Sequence, residues 1–152
     1  MSGIGSLSGV ALECPDPAAL ADFYSGVTGW PIVYADPDWY SVGESRNADL
    51  HLSFQRAPGY QPPTWPDPAS SMQFHLHFRV DDLDAAERAV VALGATKLDH
   101  QAKHRVFADP AGHPFCLCLR PAGYGDSGVS SSTSASARAS RRSGGGVESV
   151  TR

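Results

Sequence analysis

Seven side chains of the kinds that bind metals, anions or substrates recur at alternate positions of short predicted strands. They are three histidines, a glutamate, an arginine and two cysteines: His51, His75, His77, Glu13, Arg79, Cys116 and Cys118. Imidazoles and thiolates ligate metals, a carboxylate can act as a general base, and a guanidinium binds anionic groups. Because neighbouring side chains point to opposite faces of a strand, these groups are predicted to share one polar face.

The apolar residues of the same strands alternate with the polar ones. Between Gln73 and Val80, the apolar set is Phe74, Leu76, Phe78 and Val80, and the polar set is Gln73, His75, His77 and Arg79. In the strand near residue 50, His51, Ser53 and Gln55 alternate with Leu50, Leu52 and Phe54. We expect the apolar sets to lie under helices and the polar sets to line a concave cleft.

Two copies of one local pattern position these strands. Residues 9–29 and 75–94 each begin with an alternating strand, continue through an aspartate into about three helical turns, and end at a glycine. Asp16 and Asp82 are the predicted N-caps, and Gly29 and Gly94 end the helices. Pro17 suits the first helical position, where a backbone N–H has no helical partner.

Three short strands are predicted after each helix, so each half has the order β-α-β-β-β. They are Pro31 to Tyr34, Trp39 to Val42 and Asp49 to Gln55, then Thr96 to Leu98, His104 to Phe107 and Pro114 to Leu119. The sequence predicts an α+β domain over residues 1–121, in which two βαβββ modules form a curved mixed sheet around a central cleft. Module one spans about residues 6–56, a proline-rich linker spans 57–71, and module two spans 72–121.

A disordered tail rich in Ser, Gly and Arg is predicted for residues 122–152. Of the 12 basic and 16 acidic residues, four arginines and two acids lie in the tail, which leaves 8 basic and 14 acidic residues and a net charge of −6. An acidic domain argues against a nucleic acid or an anionic membrane as partner. A role of the tail in contacting a partner is a third hypothesis, based on composition alone.

The cysteine count and the first residues predict a cytoplasmic protein. Three cysteines are an odd number, and the C-x-C spacing of Cys116 and Cys118 does not resemble a disulfide framework, so reduced thiols are expected. The first 20 residues lack the basic start and apolar run of a secretory signal. The sequence has no apolar stretch of 18 residues, so no membrane span is expected.

The chain resembles the vicinal-oxygen-chelate superfamily, in particular its glyoxalase-like domains. This superfamily includes glyoxalase I, extradiol dioxygenases, fosfomycin-resistance transferases and bleomycin-binding proteins. The resemblance covers about Ser6 to Arg120 and rests on three segments: LECPDPAALADFYSGVTGW, HLHFRVDDLDAAERAVVALGA and FADPAGHPFCLCL. It implies a cleft between two modules, a small-molecule ligand and a homodimer. Because the fold hosts both enzymes and binding proteins, it does not by itself define an activity.

The resemblance also implies a metal site with ligands from the first and last strands of both modules. The matching positions are Gly9, His51, His75 and Cys116, of which Gly9 has no side chain to ligate with. His51, His75 and Cys116 are therefore the predicted ligands of one divalent metal: Zn, Fe, Mn or Ni. Two imidazoles and a thiolate favour zinc with an open fourth position. The alternative is a degenerate site without metal, in which Cys116 is a small buried residue.

Two functions follow from these alternatives. The first is a glyoxalase-like protein that binds a small molecule in the cleft, with a degenerate metal site. The second is a metal-dependent lyase or isomerase of the glyoxalase type, or a dioxygenase-like enzyme, with Glu13 as the catalytic base. In either case His77, Arg79, Gln55 and Trp65 are the predicted substrate-binding residues. Arg79 has a second interpretation as an ion-pair partner of Glu13, and Tyr60 and Trp65 are predicted to cover the cleft.

Overall fold

The structure is a computed structural model that describes residues 4, 6–70 and 74–122. The predicted disordered tail from residue 123 onward lies outside the described residues. The described elements follow the predicted order. They are β1 (Gly9–Cys14), α1 (Pro17–Thr28), β2 (Ile32–Asp36), β3 (Trp39–Val42), β4 (His51–Arg56), β5 (Leu76–Val80), α2 (Leu83–Ala92), β6 (Thr96–His100), β7 (His104–Ala108) and β8 (Pro114–Leu119).

Each module forms its own four-stranded mixed sheet, which confirms the duplicated βαβββ pattern. The strand order is β1-β4-β3-β2 in module one and β5-β8-β7-β6 in module two. The first and last strands of each module run parallel, with Gly9 opposite His51 and His77 opposite Cys116. The other neighbouring strands are antiparallel. The first and last strands are therefore adjacent within each module, and they carry all of the predicted site residues except His75, directly before β5, and Trp65, in the linker.

The helix ends follow the predicted capping chemistry. The Asp16 side chain accepts a hydrogen bond from the Ala19 backbone N–H at 3.1 Å, and Gly29 ends α1 in the left-handed region with φ of 73°. Asp82 caps α2 by accepting from two backbone N–H groups. Neither helix of the described part is both long and apolar enough to cross a membrane.

One hydrophobic core serves both modules, and Tyr24 of α1 lies at its centre. The Tyr24 ring stacks on Phe54 of module one with a centroid distance of 5.3 Å, and it meets Phe115 of module two edge-on at 6.5 Å. Tyr24, Phe54 and Phe115 are all fully buried. Aromatic pairs at these distances add stabilisation beyond the area that they bury. The shared core therefore holds the two sheets together.

The predicted alternation fails at the residues just before two strands. Phe74 is 58% exposed and Leu50 is 40% exposed, although both were expected under the helices. The described strands begin only at Leu76 and His51, so the preceding residues are not held in the pleat that produces alternation. Phe74 instead lies at the wall of a cavity between the modules.

Candidate functional site

A cavity of about 410 Å³ lies between the two modules, and we call it the inter-module cavity. Strand β1, the linker, the start of β5 and the turn before β8 all contribute to its wall. Its lining residues are Ala11, Leu12, Glu13, Tyr24, Tyr60, Gln61, Pro62, Pro63, Ser70, Phe74, His75, Leu76, His113 and Pro114. The size and the mixture of rings with a few polar groups are typical of a small-molecule site.

A buried carboxylate organises one wall of this cavity. The Asp109 side chain has no exposed surface, and its Oδ2 atom accepts from the Tyr24 hydroxyl at 2.9 Å and lies 2.8 Å from Nδ1 of His113. Its Oδ1 atom accepts from the backbone N–H groups of Ala111 and His113. With Nδ1 of His113 engaged by Asp109, Nε2 is the ring nitrogen left for a ligand.

Tyr60 of the linker lines the same wall and carries a buried hydroxyl. Its ring packs on His113 at a centroid distance of 5.2 Å, and its hydroxyl is buried without a hydrogen-bond partner among the described residues. Burial, helped by the negative charge of Asp109, raises the pKa of Tyr60 to about 12. The phenol therefore stays protonated at neutral pH and is a hydrogen-bond donor without an acceptor.

Glu13 and His75, two of the predicted site residues, line the inter-module cavity from opposite modules. The ring of Trp65, predicted to bind substrate, lies 6.5 Å from that of His75, so this part of the linker lies beside the cleft residues. Burial lowers the pKa of His75, and the neighbouring His77 lowers it further, so the imidazole favours its neutral form.

The structure brings His75 and Cys116 together with His77. The potential ligand atoms of these three residues all lie within 4.8 Å of one another. The Nε2 atoms of His75 and His77 are 2.8 Å apart, and the Cys118 sulfur lies 3.3 Å from Nδ1 of His77. Burial raises the pKa of the Cys116 thiol, and Cys118 adds to that effect.

The structure places His51 elsewhere, in a cavity whose described lining comes from module one alone. Ser41, Ser53, Trp39 and Arg46 line this module-one cavity with it. The His51 Nε2 atom lies 3.2 Å from the backbone oxygen of Ser45. Position 9 offers no room for a ligand side chain, because a Cβ on Gly9 would lie 2.8 Å from the His51 backbone oxygen. One chain therefore does not gather the family-type ligand set from both modules.

The two other predicted substrate-binding residues also line separate surfaces. Gln55 lies with Trp39, Arg56 and Pro58 at the end of the module-one sheet. Arg79 lines a largely apolar groove between the two helices and β5. Strand alternation assigns a residue to a face but not to a cavity, because the cavity depends on how the sheets pack.

Asp109, His113 and Tyr24 are functional candidates that the sequence did not single out. By residue type alone, Asp109 fits a turn and Tyr24 fits a core. The structure gives each residue that role as well, since Asp109 accepts the turn's N–H groups and Tyr24 is buried. The sequence signal that remains is an aspartate and a histidine four residues apart in a turn that precedes a buried strand.

Comparison with known proteins gives a family match for most of the chain. The family model described as a glyoxalase-like domain matches residues 9–118. No protein of curated function matches the chain.

Solved structures share the fold at low sequence identity. A glyoxalase/bleomycin resistance protein/dioxygenase family enzyme from Burkholderia phytofirmans PsJN has 21% identity and a TM-score of 0.61, over 76% of this chain and 98% of that one. TnmS3, an antibiotic binding protein from Streptomyces sp. CB03234, has 20% identity and a TM-score of 0.54, over 80% and 100%. The fosfomycin resistance protein FosX from Mesorhizobium loti has 16% identity and a TM-score of 0.55, over 80% and 95%.

Proposed function

The chain belongs to the glyoxalase-like domain family, and from that premise we propose that it binds a small organic molecule in the inter-module cavity. The observation that carries this proposal is the inter-module cavity itself, whose wall includes Tyr60, a residue with a buried hydroxyl that has no partner among the described residues. Leaving a buried donor unsatisfied costs about 1–3 kcal/mol, so an acceptor supplied by a ligand recovers stability. The similarity in fold to TnmS3, an antibiotic binding protein, is consistent with such a role.

The lining of the cavity defines the chemistry of the ligand. Tyr60, Phe74 and the prolines 62, 63 and 114 offer flat apolar surfaces to a ring. The Tyr60 hydroxyl needs a hydrogen-bond acceptor, such as a carbonyl or hydroxyl oxygen of the ligand. Glu13 and Nε2 of His113 can accept hydrogen bonds from hydroxyl or amine groups of the same compound. We therefore propose a cyclic, partly apolar compound that carries both oxygen acceptors and polar hydrogens.

A thermal-shift screen with a metal chelator present tests this function. We expect ring-containing natural products, antibiotics among them, to include compounds that raise the melting temperature, since a ligand of the native state stabilises it. Tyr60→Phe is expected to weaken that stabilisation, whereas His51→Ala, in the module-one cavity, leaves it unchanged. A hit that binds Tyr60→Phe as tightly as the parent protein would contradict the assignment of the site.

The residues of a single chain support the alternative, a metal-dependent lyase, isomerase or dioxygenase, less well than they support binding. The family-type site needs ligands from both modules, and here Gly9 lacks a side chain while His51 lines a separate cavity from His75. Glu13 lies where a base could act on a ligand in the inter-module cavity. We therefore retain Glu13 as the candidate catalytic residue if turnover is found, and we assign binding as the function.

We propose that the protein acts as a homodimer. His51 and Ser53 of module one line a cavity separate from that of His75, and the module-one cavity is closed by no described residue of module two. A second copy could place its module two against this face. Analytical ultracentrifugation at micromolar concentrations tests this proposal, and the mass of a single chain throughout would contradict it.

The proposed location is the cytoplasm. Cys14, Cys116 and Cys118 are all free thiols in the structure, as expected in a reducing compartment. Fractionation of cells that produce the protein, followed by immunodetection, tests this assignment.

A further inference from the structure

Module two contains a cluster of three side chains that can bind a metal, and the proposed function does not require them to do so. His75 and His77 lie two residues apart, before and within β5, and their Nε2 atoms are 2.8 Å apart. Cys116 lies opposite His77 in the parallel register of β5 and β8. All three donor atoms fall within 4.8 Å of one another. The strand pairing, and not a flexible loop, therefore holds His77 beside Cys116.

Cys118 contacts the other nitrogen of His77. Its sulfur lies 3.3 Å from Nδ1, on the opposite side of the imidazole from His75. In the tautomer in which Nδ1 donates to this sulfur, Nε2 keeps its lone pair and presents it to the cluster. Hydrogen bonds of this kind to the second ring nitrogen orient histidines that ligate metals. Cys118 is thus a positioning residue for His77.

We propose that His75 Nε2, His77 Nε2 and Cys116 Sγ bind one zinc-class cation, with Cys118 orienting His77 and a fourth position left open. Two imidazoles and a thiolate select such a cation over magnesium, calcium or manganese, which prefer oxygen ligands. Zn–N distances of about 2.0–2.1 Å in a tetrahedral site separate two nitrogens by about 3.3 Å. The two imidazoles therefore need to part by about half an ångström when a cation replaces their mutual hydrogen bond.

This site differs from the one that the family resemblance implies. All three ligands and the positioning cysteine come from module two, so neither His51 nor a second copy of the chain is needed. The two proposals fail separately, although His75 belongs to both sites. Small-molecule binding is tested with a chelator present, and the metal test uses variants at Cys116, His77 and Cys118, which are not among the lining residues of the inter-module cavity.

Titration of the reduced, metal-free protein with Co²⁺ tests the site. We expect one equivalent to produce the charge-transfer absorption of a cobalt–thiolate bond, and an equivalent of Zn²⁺ to remove it. Cys116→Ser should abolish this absorption. His77→Ala, at an exposed position where loss of folding is not expected, should weaken Co²⁺ binding at least 10-fold. Cys118→Ala should retain the absorption with about 10- to 100-fold weaker binding.

His51→Ala is the matched control and should bind Co²⁺ as the parent protein does. The proposal is overturned if no thiolate absorption develops, or if the absorption persists in Cys116→Ser. It is equally overturned if His51→Ala weakens binding as much as His77→Ala, because that result would assign the metal to a site shared between modules.

Discussion

The Tyr24 hydroxyl donates a 2.9 Å hydrogen bond to Oδ2 of Asp109, across 85 residues of sequence. Tyr24 belongs to the helix of module one, and Asp109 belongs to the turn before the last strand of module two. Both groups are buried, so the bond is shielded from water. It therefore joins the two modules at the wall of the inter-module cavity, where His113 shares the same carboxylate.

Asp109→Asn should destabilise the protein by about 2 kcal/mol, since the amide presents an N–H group in place of an acceptor. Urea denaturation followed by tryptophan fluorescence measures this change. Tyr24→Phe is the matched control, because it removes one donor and leaves the Asp109–His113 contact, and it should cost about 1 kcal/mol. Equal stabilities of Asp109→Asn and the parent protein would contradict the proposed role of the carboxylate.

Gly112→Ala should move the linker and alter the inter-module cavity. Gly112 has φ of 94°, and a Cβ there would lie 2.5 Å from Cβ of Pro62, which lines the cavity. Gly59→Ala is the control, because Gly59 has φ of 79° but nothing within 4 Å of the added carbon. Backbone strain alone costs about 1–2 kcal/mol in Gly59→Ala.

We expect Gly112→Ala to lose more stability in urea than Gly59→Ala and also to weaken ligand stabilisation in the thermal-shift assay. The same loss in both variants, with unchanged ligand binding, would show that the linker does not need to pack on the turn.

Stability at acid pH should depend on Arg105. Its side chain, only 9% exposed, bonds Asp84 and Glu87 at 2.6 Å each. The hydrogen bond from Arg105 lowers the pKa of Asp84 below its usual 3.8, and Lys97, with a smaller effect from Arg105, lowers that of Glu87 below 4.5. Both carboxylates therefore stabilise the folded state at pH values above these usual pKa values. That stabilisation is lost as the pH falls through their lower pKa values in the folded protein.

Arg105→Met should lower the urea midpoint at pH 7, and the difference from the parent should shrink below about pH 4, where the carboxylates become protonated. A difference that stays constant from pH 7 to pH 3 would contradict this account. Circular dichroism at a series of pH values supplies both midpoints.

The sequence predicted the elements well where the signals are local. Asp16, Pro17 and Gly29 define α1 through chemistry within a few residues, and the structure begins and ends the helix there. Strand alternation also predicts that Cys116 and His77 lie on the same face of the sheet, and in the structure they are neighbours on adjacent strands. Local signals fail at Phe74, where the strand has not yet begun.

The cavity was harder to predict because it depends on contacts distant in sequence. Aspartate is a common residue type in turns, so the sequence around Asp109 indicates only a turn. Its hydrogen bond with Tyr24, which joins the two modules, forms only when packing brings the two residues together. Alternation predicts that His51 and Ser53 share a face, and the structure places both in one cavity, yet no described residue of module two lines that cavity. Alternation cannot say which surface of the other module a polar face meets.

Chemical-shift mapping of ¹⁵N-labelled protein with the strongest thermal-shift hit, in the presence of chelator, shows directly whether the ligand binds in the inter-module cavity. We expect shift changes concentrated at the amides of Tyr60, Gln61 and His113, which line the inter-module cavity. Changes concentrated at His51 and Ser53, with Tyr60 and His113 unaffected, would contradict it.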